Sequence, residues 1–261
     1  MPEAVSLIAR NLRSVMSGYS RSTPKGELAD YPGVAIVSSG IDYSVFNATV
    51  FSEAVPHTEM TRFIEMAAGF YKARKVGWSC WFSSDLLESG SYRHLARLLE
   101  TRGLQFVADH QGMVAERLKP VSRKLPAVDV RPVTDEAGRR DFVHVCAHGF
   151  GLPGRVAEQI YGGGTYWSAR FQGWVAYANG GPVAIGATEP TGDVIGVYSV
   201  ATMSAFQGRG YGESITRHAV EQTRKRIGAT RTILQATPAG MRMYRRMGYE
   251  PCGRFVVFAT P

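Results

Sequence analysis

Val200-Ala201-Thr202-Met203-Ser204-Ala205-Phe206-Gln207-Gly208-Arg209-Gly210-Tyr211-Gly212-Glu213-Ser214 is the stretch on which the reading of this 261-residue chain turns. A run of strand-like composition, Asp193 to Thr202, empties into a loop with glycines at 208, 210 and 212. An amphipathic segment follows at once, with Ile215, Ala219, Thr223 and Ile227 spaced four apart on one helical face. Strand, loop and helix start together make a place for a phosphate. The first-turn N–H groups of a helix have no partner inside it, and its dipole puts partial positive charge there. Glycine lets the backbone approach an anion closely and take up positive φ. Arg209 adds a cation to the same loop.

Several anions fit such a loop, and spacing separates them. A P-loop requires Gly-Lys-Ser/Thr at the helix start, which is absent. A dinucleotide fold requires G-x-G-x-x-G early in a βαβ unit, whereas Gly208, Gly210 and Gly212 give G-x-G-x-G late in the chain. Gln-x-x-Gly-x-Gly, over Gln207, Gly210 and Gly212 with Val200-Ala201-Thr202 just before it, resembles the acyl-CoA pyrophosphate loop of the GNAT acyltransferase superfamily. A second block supports the resemblance. Ile233 to Tyr249 reads as a strand, a turn, a short helix containing Tyr244 and ended by Gly248, then an aromatic. In that family the two blocks come in this order at about this separation.

The resemblance implies roles for particular residues. The backbone of Val200, Ala201 and Thr202 would pair with the pantetheine arm of acetyl-CoA like an added strand. Gln207, Gly208, Arg209, Gly210, Tyr211, Gly212 and Glu213 would hold the pyrophosphate. Thr237 and Gly240 would line the CoA arm, or serve only to cap the helix. Tyr244 matches the tyrosine that protonates the departing thiolate in many members, and a phenol near pKa 10 suits that task. Many relatives place a glutamate on the organising strand, but Gly196-Val197-Tyr198-Ser199-Val200 carries no carboxylate. Glu189, acting through water, is the candidate base, with His144 and His148 as alternatives; Tyr198 is a candidate for the acceptor pocket. Cys146 as a covalent nucleophile lies on a helix away from the loop.

Composition bounds the rest. With 44% hydrophobic, 11% aromatic and 20% charged residues, the chain holds enough apolar material for a packed core. It contains no run of eighteen apolar residues, so no membrane span is expected. The N-terminal segment reads as an amphipathic helix rather than a signal peptide. Cys80, Cys146 and Cys252 lack metal-ligand spacing, which implies no metal, buried thiols and a cytoplasmic setting. The net charge of +8 raises a nucleic-acid partner. Much of the excess, however, clusters at Arg217, Arg224, Lys225 and Arg226 and at Arg242, Arg245 and Arg246, beside the expected CoA cleft.

Residues 1–119 read as helix, two strands (Val34–Val37, Val45–Phe51), helix, strand (Trp78–Phe82), helix and a strand pair (Gln105–Ala108, Met113–Leu118) about a turn at His110-Gln111-Gly112. Met60, Phe63, Ile64, Ala67 and Tyr71 make one continuous apolar helix face. Trp78 and Trp81 read as core. No glycine loop occurs in this half, which suggests either a degenerate GNAT-like unit or an unrelated α+β extension. Lys119 to Ala127, with Pro120 and Pro126, reads as a linker. In the second half, residues 128–261, the stretch 128–258 then gives β-α-α-β-β-β-α-β-α-β, with Thr134 as a candidate N-cap of the first helix. The expected fold class is α+β: a GNAT-like mixed sheet flanked by helices in the C-terminal half, and a smaller degenerate GNAT-like α+β half before it. The expected function is transfer of acetyl from acetyl-CoA to a small-molecule or peptide amine by direct attack in a ternary complex. The rival is an acyl-CoA-binding sensor without turnover.

Overall fold

A computed structural model describes residues 2–88, 91–168 and 170–261. In chain order the elements are α1 (Pro2–Gly18), β1 (Glu27–Tyr31), β2 (Val34–Ser38), β3 (Ala48–Phe51), α2 (His57–Arg74), β4 (Ser79–Ser83), α3 (Ser91–Thr101) and β5 (Gln105–Ala115). There follow β6 (Asp129–Pro132), α4 (Glu136–Phe150), α5 (Gly154–Ala157), β7 (Gln172–Ala178), β8 (Gly181–Thr191) and β9 (Val194–Thr202). The last are α6 (Tyr211–Ile227), β10 (Arg231–Ala236), α7 (Pro238–Met247) and β11 (Glu250–Ala259). The fold is mixed α+β and divides into two compact units. The first is Met1–Gly112 with Gln235–Pro238 and Pro251–Pro261; the second is Met113–Leu234 with Ala239–Glu250.

In the first unit the sheet order is β1-β2-β3-β4-β11. The sequence assigns residues 251–261 to the second half, but they group with the first because β11 pairs antiparallel with β4, from Phe255 against Ser83 to Ala259 against Ser79. Pairing between segments so far apart leaves no local trace in the sequence. The apolar face of α2 is buried as its periodicity requires, with Met60, Phe63, Ile64, Ala67 and Tyr71 packed against Ile36, Phe82 and Phe258. Trp78 is core, stacked on Tyr71 at 5.0 Å; Trp81 is half-buried, stacked on His110 and donating from Nε1 to Ser79 Oγ. Two expectations fail here. The mostly exposed edge strand β1 has no apolar alternation to announce it. The expected hairpin at residues 110–112 is one strand, β5. Gly112 serves close packing rather than a turn, since a Cβ there would lie 2.7 Å from the Phe255 ring.

In the second unit the order is β10-β9-β8-β7-β6, with β9 and β10 parallel and the other neighbours antiparallel. The β7–β8 hairpin turns at Asn179 and Gly180, both at positive φ, as an Asn-Gly turn requires. The two sheet faces are covered by different helices. On one, Ile215 and Ala219 of α6 pack on Trp174, Ala176 and Ala184, and Thr188 shares a 2.7 Å hydroxyl hydrogen bond with Thr223. Ile227, expected on the same buried face, is 36% exposed because α6 ends there at Gly228. On the other face lies α4, with Phe142, Val145 and Cys146 buried. Its N-cap is Asp135, not Thr134: the Asp135 carboxylate accepts from Gly138 N–H at 2.8 Å.

Candidate functional site

The strand that leads into the glycine loop, β9, carries a register shift against β8. Against β8, Ala187 pairs with Tyr198 but Ile185 pairs with Ala201, so β9 holds one extra residue over that interval. Ser199 takes it up at φ 51°, an uncommon conformation for a residue other than glycine. On the other side, among the described residues, the pairing with β10 covers Val194, Ile195 and Gly196 against Arg231, Thr232 and Ile233. The edge of β9 from Val197 to Thr202, which includes Val200, Ala201 and Thr202, therefore lies beyond the paired segment.

Beyond Thr202 the chain is tied back before it turns. Met203 N–H donates to Val183 O at 2.9 Å, and Gln207 Nε2 donates to Thr202 O at 3.2 Å. Gly208 and Gly210 adopt φ of 75° and 99°, and Gly210 caps α6 with no side-chain hydrogen bond. A glycine at that position has no side chain to accept from the first N–H groups of α6. Gly212 permits a third close approach: a Cβ there would meet Met243 Sδ at 3.3 Å and Thr202 Oγ1 at 3.4 Å. Gln207, Gly208 and Arg209 are exposed, whereas Gly210 is buried. Tyr211 is half-buried, edge-on to Phe206 at 5.6 Å, and the Arg209 guanidinium lies 5.9 Å from the Phe206 ring centre.

Glu213, expected among the donor-binding residues, turns its side chain inward and is fully buried. Its Oε1 accepts from Arg217 Nε and Nη2 at 3.0 and 2.9 Å. Its Oε2 accepts from Arg246 Nη2 and Nε at 2.9 and 3.2 Å, with Arg123 Nη2 at 3.5 Å. Burial pushes the carboxyl pKa up, but the hydrogen bonds from Arg246 and Arg217, with their charges, outweigh it and hold the pKa below the ordinary value. Only the backbone N–H of Glu213 remains a candidate for ligand contact. Arg217 and Arg246, read as part of a basic rim, are partnered here instead.

Strand alternation brings two other candidates to one face. Glu189 lies opposite Gly196 and Ala187 opposite Tyr198, so all four share one side of the sheet. It is the side of α4, because Thr188 points to α6 and a Cβ on Gly149 of α4 would lie 2.7 Å from Ala201 Cβ. Glu189 is 4% exposed, with Arg170 Nε at 3.6 Å from its Oε1; Tyr198 is half-buried. Tyr244 faces inward from α7 and is 7% exposed, its ring edge-on to Tyr249 at 5.5 Å. Burial, and then Tyr249, push its phenol well above the usual value. Thr237 directly precedes α7 and Gly240 stands in its first turn. Cys146 is buried and its thiol pushed up to about 12 by burial, which makes it a poor nucleophile. His144 and His148 are exposed on α4, with His148 Nδ1 at 2.8 Å from His144 O.

The segment read as a linker packs against the loop and the helices beside it. Lys119 N–H donates to Met247 O at 2.8 Å, and Lys119 O accepts from Arg217 Nη1 at 2.7 Å. Farther along, a Cβ on Gly210 would meet Pro126 Cδ at 3.0 Å, Leu125 Cδ2 at 3.3 Å and Arg123 Nη2 at 3.4 Å. Its proline-rich composition signals only irregular backbone and says nothing of where that backbone lies.

This architecture recurs among known structures. A GCN5-related N-acetyltransferase from Kribbella flavida shares it at TM-score 0.69 and 18% identity, over 95% of each chain. One from Sphaerobacter thermophilus does so at 0.58 and 16%, over 87% of this chain and 76% of the other. A tandem GNAT protein from the clavulanic acid biosynthesis pathway matches at 0.55 and 12%, over 90% and 78%. The fold over most of the chain is therefore that of GCN5-related N-acetyltransferases. Residues 169–251 match the family model for the acetyltransferase (GNAT) domain. No curated protein sequence matches the chain. Among the described residues no cluster of three His, Cys, Asp or Glu is placed to hold a metal, and no helix is long and apolar enough to cross a membrane.

Proposed function

We propose that the protein transfers acetyl from acetyl-CoA to an amine by direct attack in a ternary complex, with the donor held by β9 and the start of α6. The observation that carries the reading is the combination, within the segment that matches the GNAT domain, of a β9 edge that runs on past its pairing with β10 at Gly196 and a glycine N-cap, Gly210, at the start of α6. Pantetheine would add to that edge as a further strand, and the amides of Gly208 to Glu213 would take the pyrophosphate. The acceptor nitrogen attacks the thioester carbon and the C–S bond breaks; most of the rate comes from holding the two together. Glu189 takes the ammonium proton through a water. Gly196, directly opposite, has no side chain, so a carboxylate on β8 can serve the place that many relatives fill from the strand corresponding to β9.

Tyr244 returns a proton to the departing thiolate. Its raised pKa keeps the phenol protonated but also makes it a weak acid. The transfer therefore depends on the thiolate being buried beside it, where desolvation strengthens the thiolate as a base. The acceptor is a small-molecule or peptide amine lying against Tyr198 on the α4 side. Three free cysteines fit a reducing, cytoplasmic setting. Two measurements test the reading. Free-thiol release from acetyl-CoA across an amine library should find at least one acceptor; CoA binding with no release across the library would favour a sensor. Gly210→Val should abolish CoA binding in calorimetry, because its φ of 99° and the 3.0 Å approach of Pro126 exclude a branched side chain. Undiminished affinity would show that the donor binds elsewhere.

A further inference from the structure

The segment Lys119–Pro126 lies before the residues matched as a GNAT domain, 169–251, yet it is fixed to both helices that frame the donor loop. Met247 O and Arg217 anchor it at Lys119, Arg123 meets Glu213, and Leu125 and Pro126 lie against Gly210. From these contacts we infer that this segment is a strap completing the donor site, and that Arg123 supplies a cation to a phosphate of the CoA moiety. The inference rests on the donor assignment proposed above.

Charge balance and position carry it. Three guanidinium groups converge on one carboxylate, so the cluster keeps two positive charges in excess beside the uncapped end of α6. Arg217 and Arg246 each donate two hydrogen bonds of 2.9–3.2 Å to the carboxylate, Arg217 also donates to Lys119 O, and their side chains are 16% and 28% exposed. Arg123 differs from both. Its contact to Glu213 is a single one at 3.5 Å, its side chain is 40% exposed, and its Nη2 lies within 3.4 Å of where a Gly210 Cβ would stand. It is the cation of the three that has donors to offer an incoming anion while the carboxylate keeps it in place. A planar guanidinium with several donors suits a phosphate. The strap leaves Gln207, Gly208 and Arg209 exposed, so it borders the loop without covering it.

The test is titration calorimetry of the full chain with coenzyme A and with 3′-dephospho-coenzyme A at low and high salt, for wild type, Arg123→Ala and Arg123→Lys. Because Arg123 is partly exposed and loosely paired, the alanine variant should keep the wild-type melting temperature. Arg123→Ala should weaken CoA binding about tenfold at low salt, the effect expected for one charge-assisted hydrogen bond. It should also flatten the salt dependence, and lysine should recover part of the loss. A loss for both ligands assigns Arg123 to the pyrophosphate; a loss for CoA alone assigns it to the 3′-phosphate. Equal or tighter binding of both ligands by Arg123→Ala would overturn the inference while leaving the donor site standing. A wild type that binds neither ligand would remove the donor reading, and this inference with it.

Discussion

Replacing Glu213 by glutamine tests the central piece of this architecture, because the change is nearly isosteric and removes one charge from a fully buried position. Glutamine keeps one oxygen for Arg217 but turns an NH₂ group toward Arg246 and Arg123, setting donor against donor. Hydrogen bonds to charged groups contribute roughly 1.5–3 kcal/mol each, and breaking a buried ion pair costs about 3–5 kcal/mol. The three arginines remain 16–40% exposed, so water relieves part of the loss and about 3 kcal/mol is expected. With a urea m-value of about 2 kcal/mol/M, the unfolding midpoint of the second unit should fall by about 1.5 M. The pH dependence has a definite sign. The folded-state pKa of Glu213 is lowered, so its contribution is fully present above the unfolded carboxylate value and is lost as pH falls through the folded one. The gap between wild type and variant, read by urea melts, should be widest at neutral pH and close in acid. Equal midpoints at pH 7, or a gap indifferent to pH, would refute the clamp.

Two further outcomes are expected. Tyr244→Phe should lower turnover at least tenfold while leaving CoA affinity within about twofold; an unchanged rate would leave Tyr244 as packing against Tyr249. Gly149→Ala should destabilise the second unit by about 1–3 kcal/mol, because its Cβ would lie 2.7 Å from Ala201 Cβ and force α4 and β9 apart. Thermal melts and CoA titrations read this together, and no change in either would mean that α4 does not constrain β9.

The sequence by itself determined the parts that local pattern encodes. A helix must bury an apolar face at a period of 3.6 residues, so α2 and most of α6 are legible from Met60 to Tyr71 and from Ile215 to Thr223. The turn into α6 takes positive φ at two positions, so Gly208 and Gly210 announce it before any fold is known. Tertiary structure decided whatever depends on which distant segments meet. It sent residues 251–261 into the first unit through β4, and turned Glu213 from the loop toward three arginines. It brought Glu189 opposite Gly196 and laid a linker from Lys119 to Pro126 against Gly210. Composition can mark Lys119–Ala127 as irregular, but the free energy that fixes it comes from hydrogen bonds to residues about 90 to 130 positions away, and no window of sequence contains them.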